Sequence, residues 1–467
     1  MSDDVAAPKK RRPSERWTSF DDWNYRGMKQ RLQGFMASIN KTALIEHASA
    51  VLGSPASMSE PFSAGQYWCC FELVAPDDDR FLVARVRLPK HPESSSSIDA
   101  DDEYLIQCEV ATMSFLRTNV KTVPVPKLYA YEPPGSPRAI NTGAAYMLIE
   151  GFCGNSLQDI DHSIYNLPVC LTALHLVFMH RSNPKQVCTQ ERIFAQWTSF
   201  QAELAAFTFP QVGSISHFSP DTGATIGAIA SSSIDGLPAA GPFHSGWDYF
   251  VAVAEGLVAQ ALQRNKERSS AESTTSSRFA ALGPLVFRNI VRDTDIFKSC
   301  QGPFHFNHMD MGMQNILIDN NFHFFAVIDW EFAQSAPWEV NHFPMPIPLL
   351  SSDIETTEIL YDPGHKAHRN ISRQVGARLL YRQTFQEAEH ALERRGNPLR
   401  YSIADVLEGN ASRIYGLVGK IGVFPGMEEE LTYELVRLGY GLTGLEAEQH
   451  LQRLGDEMKG AVVAGVN

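Results

Sequence analysis

No apolar run in this 467-residue chain reaches the roughly 18 residues that a membrane-crossing helix needs. The opening MSDDVAAPKKRRPSER has no apolar segment to act as a secretory signal. There is no CxxC pair, and the seven cysteines are scattered and odd in number. That argues against a disulfide framework and for a reducing, cytoplasmic setting with cysteines as small core residues. Positive charge is also short: 40 Lys and Arg stand against 53 Asp and Glu, a net charge of -13. A general nucleic-acid binder is therefore a poor reading, and a cationic small-molecule partner is mildly favoured. No internal repeat is present. With 44% hydrophobic and 20% charged residues, the chain has the composition of a globular protein with substantial cores, long enough for two or three units.

What is there begins with a polar tail to about residue 16. Its Lys9-Lys10-Arg11-Arg12 cluster reads as a solvated charge run, with nuclear import as the alternative. From Trp17 to Leu52 apolar residues recur at three- and four-residue steps (Met28, Leu32, Phe35, Met36, Ile39), which predicts helix, and the aromatics Trp17, Phe20, Trp23 and Tyr25 predict docking. QYWCCFELVA (66–75) and FLVARVRL (81–88) read as a hairpin across a Pro76–Asp79 turn, with Cys69 and Cys70 on opposite faces. A Ser/Asp-rich loop, PESSSSIDADDE, leads into a helix over 103–119. TVPVPKLYAYE and AAYMLIEGF (144–152) follow as strands. Beyond Phe152 the chain turns helical, over 165–180, 190–207, 246–264 and 278–297, and again from about Leu379. RSSAESTTSS (268–277) is a polar, low-complexity loop.

The stretch 304-FHFNHMDMGMQNILIDNNFHFFAVIDWEF-332 stands apart. Its outer parts are apolar and aromatic, yet it holds His305, His308, Asp310, Asn315, Asp329 and Glu331. Charges among buried sequence need partners. Asn315–Asp319 and Phe322–Ile328 read as two strands around an Asn320-Asn321 turn, since Asn tolerates positive φ. Such a hairpin brings Asn315 at its entrance near Asp329 at its exit. An amide oxygen beside a carboxylate suits a hard cation such as Mg²⁺. Asp310, on the entering loop, faces whatever that cation holds.

The pattern H-x-D-x-x-x-x-N, a strand pair and I-D (His308, Asp310, Asn315, Asp329) resembles the catalytic loop and metal-binding Asp of the protein-kinase-like fold. With Trp330-Glu331 following, it looks like the aminoglycoside phosphotransferase and choline kinase branch, in a fungal-type variant. GPFHSGWDYF (241–250) and VGSI (212–215) add to that likeness, which covers roughly Ser57 to Leu350. The resemblance implies that Asp310 orients an acceptor hydroxyl and takes its proton, and that His308 braces the loop. It also implies that Asn315 and Asp329 hold Mg²⁺ across the phosphates of ATP. Glu331 would either hold a metal-bound water or anchor the loop. His305 and His323 read as bystanders and Trp330 as core.

The same resemblance asks for three further parts. Val83 and Arg85 share one face of their strand, and Glu109 lies on the next helix. Arg85–Glu109 would match the family's Lys–Glu pair, with Arg in place of the usual Lys. The phosphate loop would be SEPFSAGQYW (59–68), where Ser63 and the backbone N–H groups around Gly65 cradle a phosphate, although no GxGxxG is present. The adenine would bond backbone groups near Glu150 and Phe152. The expected fold is α+β, in two lobes: an extension over 1–56, a small mixed-sheet nucleotide lobe over 57–152, and a mostly helical lobe over 153–467. The expected activity is ATP- and Mg²⁺-dependent transfer of a phosphoryl group to a small-molecule hydroxyl. Two alternatives stand beside it: an inactive relative that binds nucleotide or a protein, and a metal hydrolase using His305, His308 and Asp310.

Overall fold

The computed structural model describes residues 12–15, 28–65, 67–76, 80–89, 102–160, 189–230, 240–269, 278–344, 349, 351–424 and 426–464. The aromatics at 17–25, most of the basic cluster, the 77–79 turn, most of the Ser/Asp-rich loop, the 165–180 helix and most of the 268–277 loop lie outside these. The chain divides into two compact units. One comprises 1–160, 216–225 and 313–331; the other comprises 161–215, 226–312 and 332–467.

The first unit is built on a six-stranded sheet of β1 (Ser57–Met58), β2 (Ser63–Ala64), β3 (Trp68–Val74), β4 (Phe81–Arg87), β5 (Leu128–Glu132) and β6 (Tyr146–Glu150). The order is β1-β3-β4-β6-β5, with β2 also on β3. The sheet expected as mixed pairs antiparallel at every junction. β4 follows β3 in the opposite direction and β6 returns beside β4 in the opposite direction again, so no parallel crossover is called for.

β4 is buried along its whole length. Alternation explains how. Leu82, Ala84 and Val86, with Cys69, Phe71 and Leu73 of β3, face a core completed by Met28, Leu32, Phe35, Leu44 and Ala48. Those last five belong to the helices Met28–Ser38 and Lys41–Leu52, so the N-terminal extension covers one face of the sheet. Asn40 separates the two helices and caps the second, its Oδ1 accepting the Ala43 N–H at 3.2 Å. The other face carries Val83, Arg85 and Arg87 and meets the helix Asp102–Asn119. The β6 strand ends at Gly151, whose N–H donates to Phe81 O at 3.0 Å. A Cβ there would lie 2.2 Å from the Phe81 ring, so only glycine fits.

Within the same unit, Ile316–Ile318 pairs antiparallel with Phe324–Val327 and, on its other side, with a short strand at Asn155–Ser156 that periodicity did not reveal. Phe152 packs on Phe325, with ring centroids 5.8 Å apart.

The second unit is mostly helical. The helices Gly246–Ser269, Phe279–Asp293, Asn410–Val418, Glu428–Tyr440 and Gly444–Ala464 enclose a core centred on Tyr249, Phe250, Phe287, Phe297, Tyr415, Leu431 and Leu435. Phe250 and Phe297 are tilted against each other at 4.5 Å. The helices Thr189–Ala205 and His368–Arg394 pack together, where Phe194 meets Tyr381 edge-on. A small antiparallel sheet of Thr208–Phe209, Phe304–Asn307 and Gln334–Ala336 supports the loop that follows Asn307.

Candidate active site

In the first unit, polar groups gather where β4, the helix Asp102–Asn119 and the end of the 316–327 hairpin meet. Arg85 donates through Nη1 to the Glu109 carboxylate and through Nη2 to Asp329 Oδ1 at 2.9 Å. Arg85 and Glu109 are buried, while the Asp329 side chain keeps 31% of its surface exposed. Burial works against the charge on Arg85, but Glu109 and Asp329 outweigh it and hold its pKa above the ordinary arginine value. The guanidinium also lies over the Trp68 ring at 4.7 Å.

Arg87, two residues along and on the same face, lies between Tyr67 and Trp68 at 4.8 and 5.1 Å from their ring centroids. It stands 3.9 Å from Glu331. The Glu331 carboxylate accepts the Trp68 Nε1–H at 3.3 Å. Glu331 is thereby an anchor tying the hairpin exit to β3. Sequence reasoning missed Trp68 and Arg87, although the alternation that selects Arg85 selects Arg87 as well.

Two guanidiniums face the carboxyls of Glu109, Asp329 and Glu331. Burial first, then the charges of Asp329 and Glu109, push the Glu331 pKa up to about 8 against the opposing pull of both arginines, which favours its protonated form at neutral pH.

Asn315 lies beside this cluster. It ends a short 3-10 turn, Met313–Asn315, and is 5% exposed. Its carbonyl accepts the Ile328 N–H at 2.9 Å, which places it across the hairpin from the residue preceding Asp329. Asp329 holds a left-handed φ of 66°. Such backbone costs energy and is kept where the surroundings dictate it. At the hairpin tip the positive φ expected at Asn320 or Asn321 falls on Phe322, at 61°. The reason is Asp319: its Oδ1 accepts the N–H groups of Asn321 (2.7 Å) and His323 (2.9 Å), which makes the turn longer than two residues. Trp330 is core, 1% exposed, with Nε1 donating to Val327 O.

The other residues expected to bind nucleotide lie in the same unit. Ser63 and Ala64 pair with Cys70 and Cys69, and the Gly65 N–H donates to Trp68 O at 2.9 Å. The Gly65 N–H expected to cradle a phosphate is thus already committed to a hairpin bond. Glu150 donates its N–H to Lys127 O and accepts the Lys127 N–H on its carboxylate, both within the sheet edge. From Phe152 on, the backbone has left the ladder.

The second unit holds the loop Asn307–Gly312. Asn307 Oδ1 accepts the Met309 N–H at 2.9 Å and His308 Nδ1 accepts the Asp310 N–H at 3.3 Å. The Gly312 N–H bonds to Asp310 O. Met309, between His308 and Asp310, has φ 64°, unusual for a long side chain. Two side chains accepting successive amides hold this strained turn in shape.

His305 is 1% exposed and satisfied as a neutral ring: Nδ1 donates to Phe306 O at 3.2 Å and Nε2 accepts from Asn341 Nδ2 at 2.9 Å. Burial, opposed by bonds to the Phe306 and Pro337 carbonyls, lowers its pKa to about 4. Among the described residues no group of three His, Cys, Asp or Glu converges to hold a metal ion, so the hydrolase alternative has no ligand set. The sign of the pH effect follows. Above about pH 6.5 the ring is neutral in both states; as pH falls toward 4 the unfolded chain takes up a proton that the folded chain refuses. The thermal midpoint should drop between pH 6.5 and 5, at a cost of at most about 1.4 kcal/mol per pH unit for this group. Melting curves of His305→Gln, compared at the two pH values, should show a smaller drop.

No family model matches the chain, and no curated protein matches it. Among solved structures it is similar to aminoglycoside phosphotransferase APH(4)-Ia in ternary complex with AMP-PNP and hygromycin B, at 15% identity over 86% of this chain and 100% of that one, with a TM-score of 0.41. It is similar to a putative fructosamine-3-kinase from Haemophilus somnus 129PT at 10% identity, 90% and 98% coverage and TM-score 0.40. It is also similar to an ethanolamine kinase from Plasmodium vivax at 9% identity, 86% and 81% coverage and TM-score 0.37. These likenesses are loose, and the functional reading rests on the residues of this chain.

Proposed function

We propose that this chain is a protein-kinase-like phosphotransferase that moves the γ-phosphoryl group of ATP to a hydroxyl of a small molecule. The observation that carries the reading is the geometry of the cluster: Arg85 bridges Glu109 and Asp329, with Glu331 anchored on Trp68 and Asn315 across the same hairpin. The donor set fits a divalent cation of the Mg²⁺ type, since a carboxylate and an amide oxygen are hard ligands. Asn315 and Asp329 would hold it. When bound, the ion supplies charge neutralisation across the phosphate oxygens.

The chain's own residues do the rest. A guanidinium has five N–H donors, and the bonds to Glu109 and Asp329 use two, so Arg85 keeps donors for phosphate oxygens. A lysine in its place would have a single ammonium to divide among two carboxylates and a ligand. Glu109 fixes Arg85, and Trp68 with Glu331 fixes the exit of the hairpin that carries Asp329. Asp310, five residues before Asn315 in the sequence, accepts the acceptor hydroxyl's proton as the oxygen attacks. His308 holds the Asp310 backbone. Phosphoryl transfer asks for this kind of positioning more than for covalent chemistry.

The test is ATP consumption by the full chain with Mg²⁺ against a panel of alcohols, amino alcohols and sugars. A phosphorylated product with at least one acceptor supports the proposal. Mg²⁺-dependent ATP binding with no turnover on any acceptor would instead favour an inactive nucleotide-binding relative.

A further inference from the structure

We propose that a cavity in the second unit is an anion site, taking a phosphate-type oxyanion between Arg378 and Lys420. The cavity measures about 50 Å³. At roughly 10–15 Å³ per water-sized group it holds on the order of three to five such groups, the size of an anionic head group rather than a whole metabolite.

The two lining carboxylates are neutralised by Arg413 of the wall and by Arg437, which is not part of it. Arg413 binds Asp353 at 2.8 Å and Glu434 at 3.3 Å. Arg437 binds Asp353 at 2.7 Å and Glu434 at 2.6 Å. Two guanidiniums and two carboxylates close on one another. Arg378 and Lys420 are left over, and among the described residues no carboxylate pairs with either. Arg378 is held in position over the Phe343 ring at 4.1 Å, while Glu408 and Asp353 act on it only through space.

The surroundings register the surplus. Burial and then the charge of Arg378 bring the Lys420 pKa down to about 8. Burial and then Lys420 bring His342 down to about 4, so its ring stays neutral at the cavity wall. Gly416 admits that ring: a Cβ there would lie 3.0 Å from His342 Cβ. In a chain of net charge -13, two cations at one cavity that no carboxylate contacts among the described residues are a local feature, not a property of the whole surface. Buried charges are retained where a partner completes them, and guanidinium with ammonium suits an oxyanion.

The inference does not depend on the nucleotide reading. The probe is inorganic phosphate, added to the full chain without nucleotide, against chloride at matched ionic strength, with acetate as a second arm. We expect a saturable rise in thermal midpoint with phosphate. Lys420→Gln and Arg378→Gln should weaken it by about tenfold or more, the loss of a charge-assisted hydrogen bond. Lys420→Gln should melt no lower than the parent without phosphate, because it relieves the like-charge contact with Arg378. Arg378→Lys should keep most of the response. A response to phosphate and not to acetate supports the phosphate-type assignment, and an equal response to both overturns it in favour of unselective anion attraction. Absence of a saturable rise with both anions overturns the proposal. So does a rise that both Gln variants leave intact, which would place the phosphate elsewhere.

Discussion

Arg85→Met should be among the most damaging single substitutions in this chain. It removes the charge between Glu109 and Asp329 and leaves a buried carboxylate unpaired. Breaking one side of a buried pair costs about 3–5 kcal/mol. The cost should appear as a lower denaturation midpoint of the first unit and as loss of stabilisation by ATP. Arg85→Lys separates the two effects. It keeps the charge but reaches one carboxylate at a time, so the fold should survive while nucleotide binding weakens. Circular dichroism melts with and without nucleotide would show this. If the Met variant melted like the parent, Arg85 would not be the centre of the site.

Asp310→Asn should behave in the opposite way. The residue lies outside the Arg85 cluster's unit, its backbone N–H donates to His308 Nδ1, and the amide keeps the size of the carboxylate and one acceptor oxygen. Folding and ATP binding should therefore persist. Turnover should fall by about 10²–10⁴, the range that a positioned proton acceptor contributes. A split of that kind, kcat lost with nucleotide affinity retained, identifies a base. A loss of both would make Asp310 structural.

How much of this was legible beforehand depends on the range of the contact. Asn315 and Asp329 are tied by a local hairpin, and period-two alternation reveals it. Arg85 and Glu109 are separated by only 24 positions on adjacent elements. The Trp68–Glu331 bond spans 263 positions, and no local pattern announces it. The N-terminal helices could be read from their apolar spacing, but not the sheet face they cover, because a helix pattern says that a face is buried and not against what. Gly65 was misleading for a different reason: a glycine before a strand signals a tight turn, and here the turn uses its N–H in a hairpin bond. The strained residues Met309 and Phe322 gave no signal, since neither residue type favours positive φ. At Met309 the side chains of Asn307 and His308 accept successive backbone amides, and at Phe322 the Asp319 carboxylate accepts the amides on either side.

The central claim is that Asp329, with Asn315, holds a divalent cation carried with nucleotide. Calorimetric titration of ATP into the full chain, with Mg²⁺ and with EDTA, tests it most directly. Binding should be tight with Mg²⁺, weak in EDTA, and lost in both conditions in Asp329→Ala. Equal affinity with and without Mg²⁺, or binding that Asp329→Ala leaves unchanged, would contradict it.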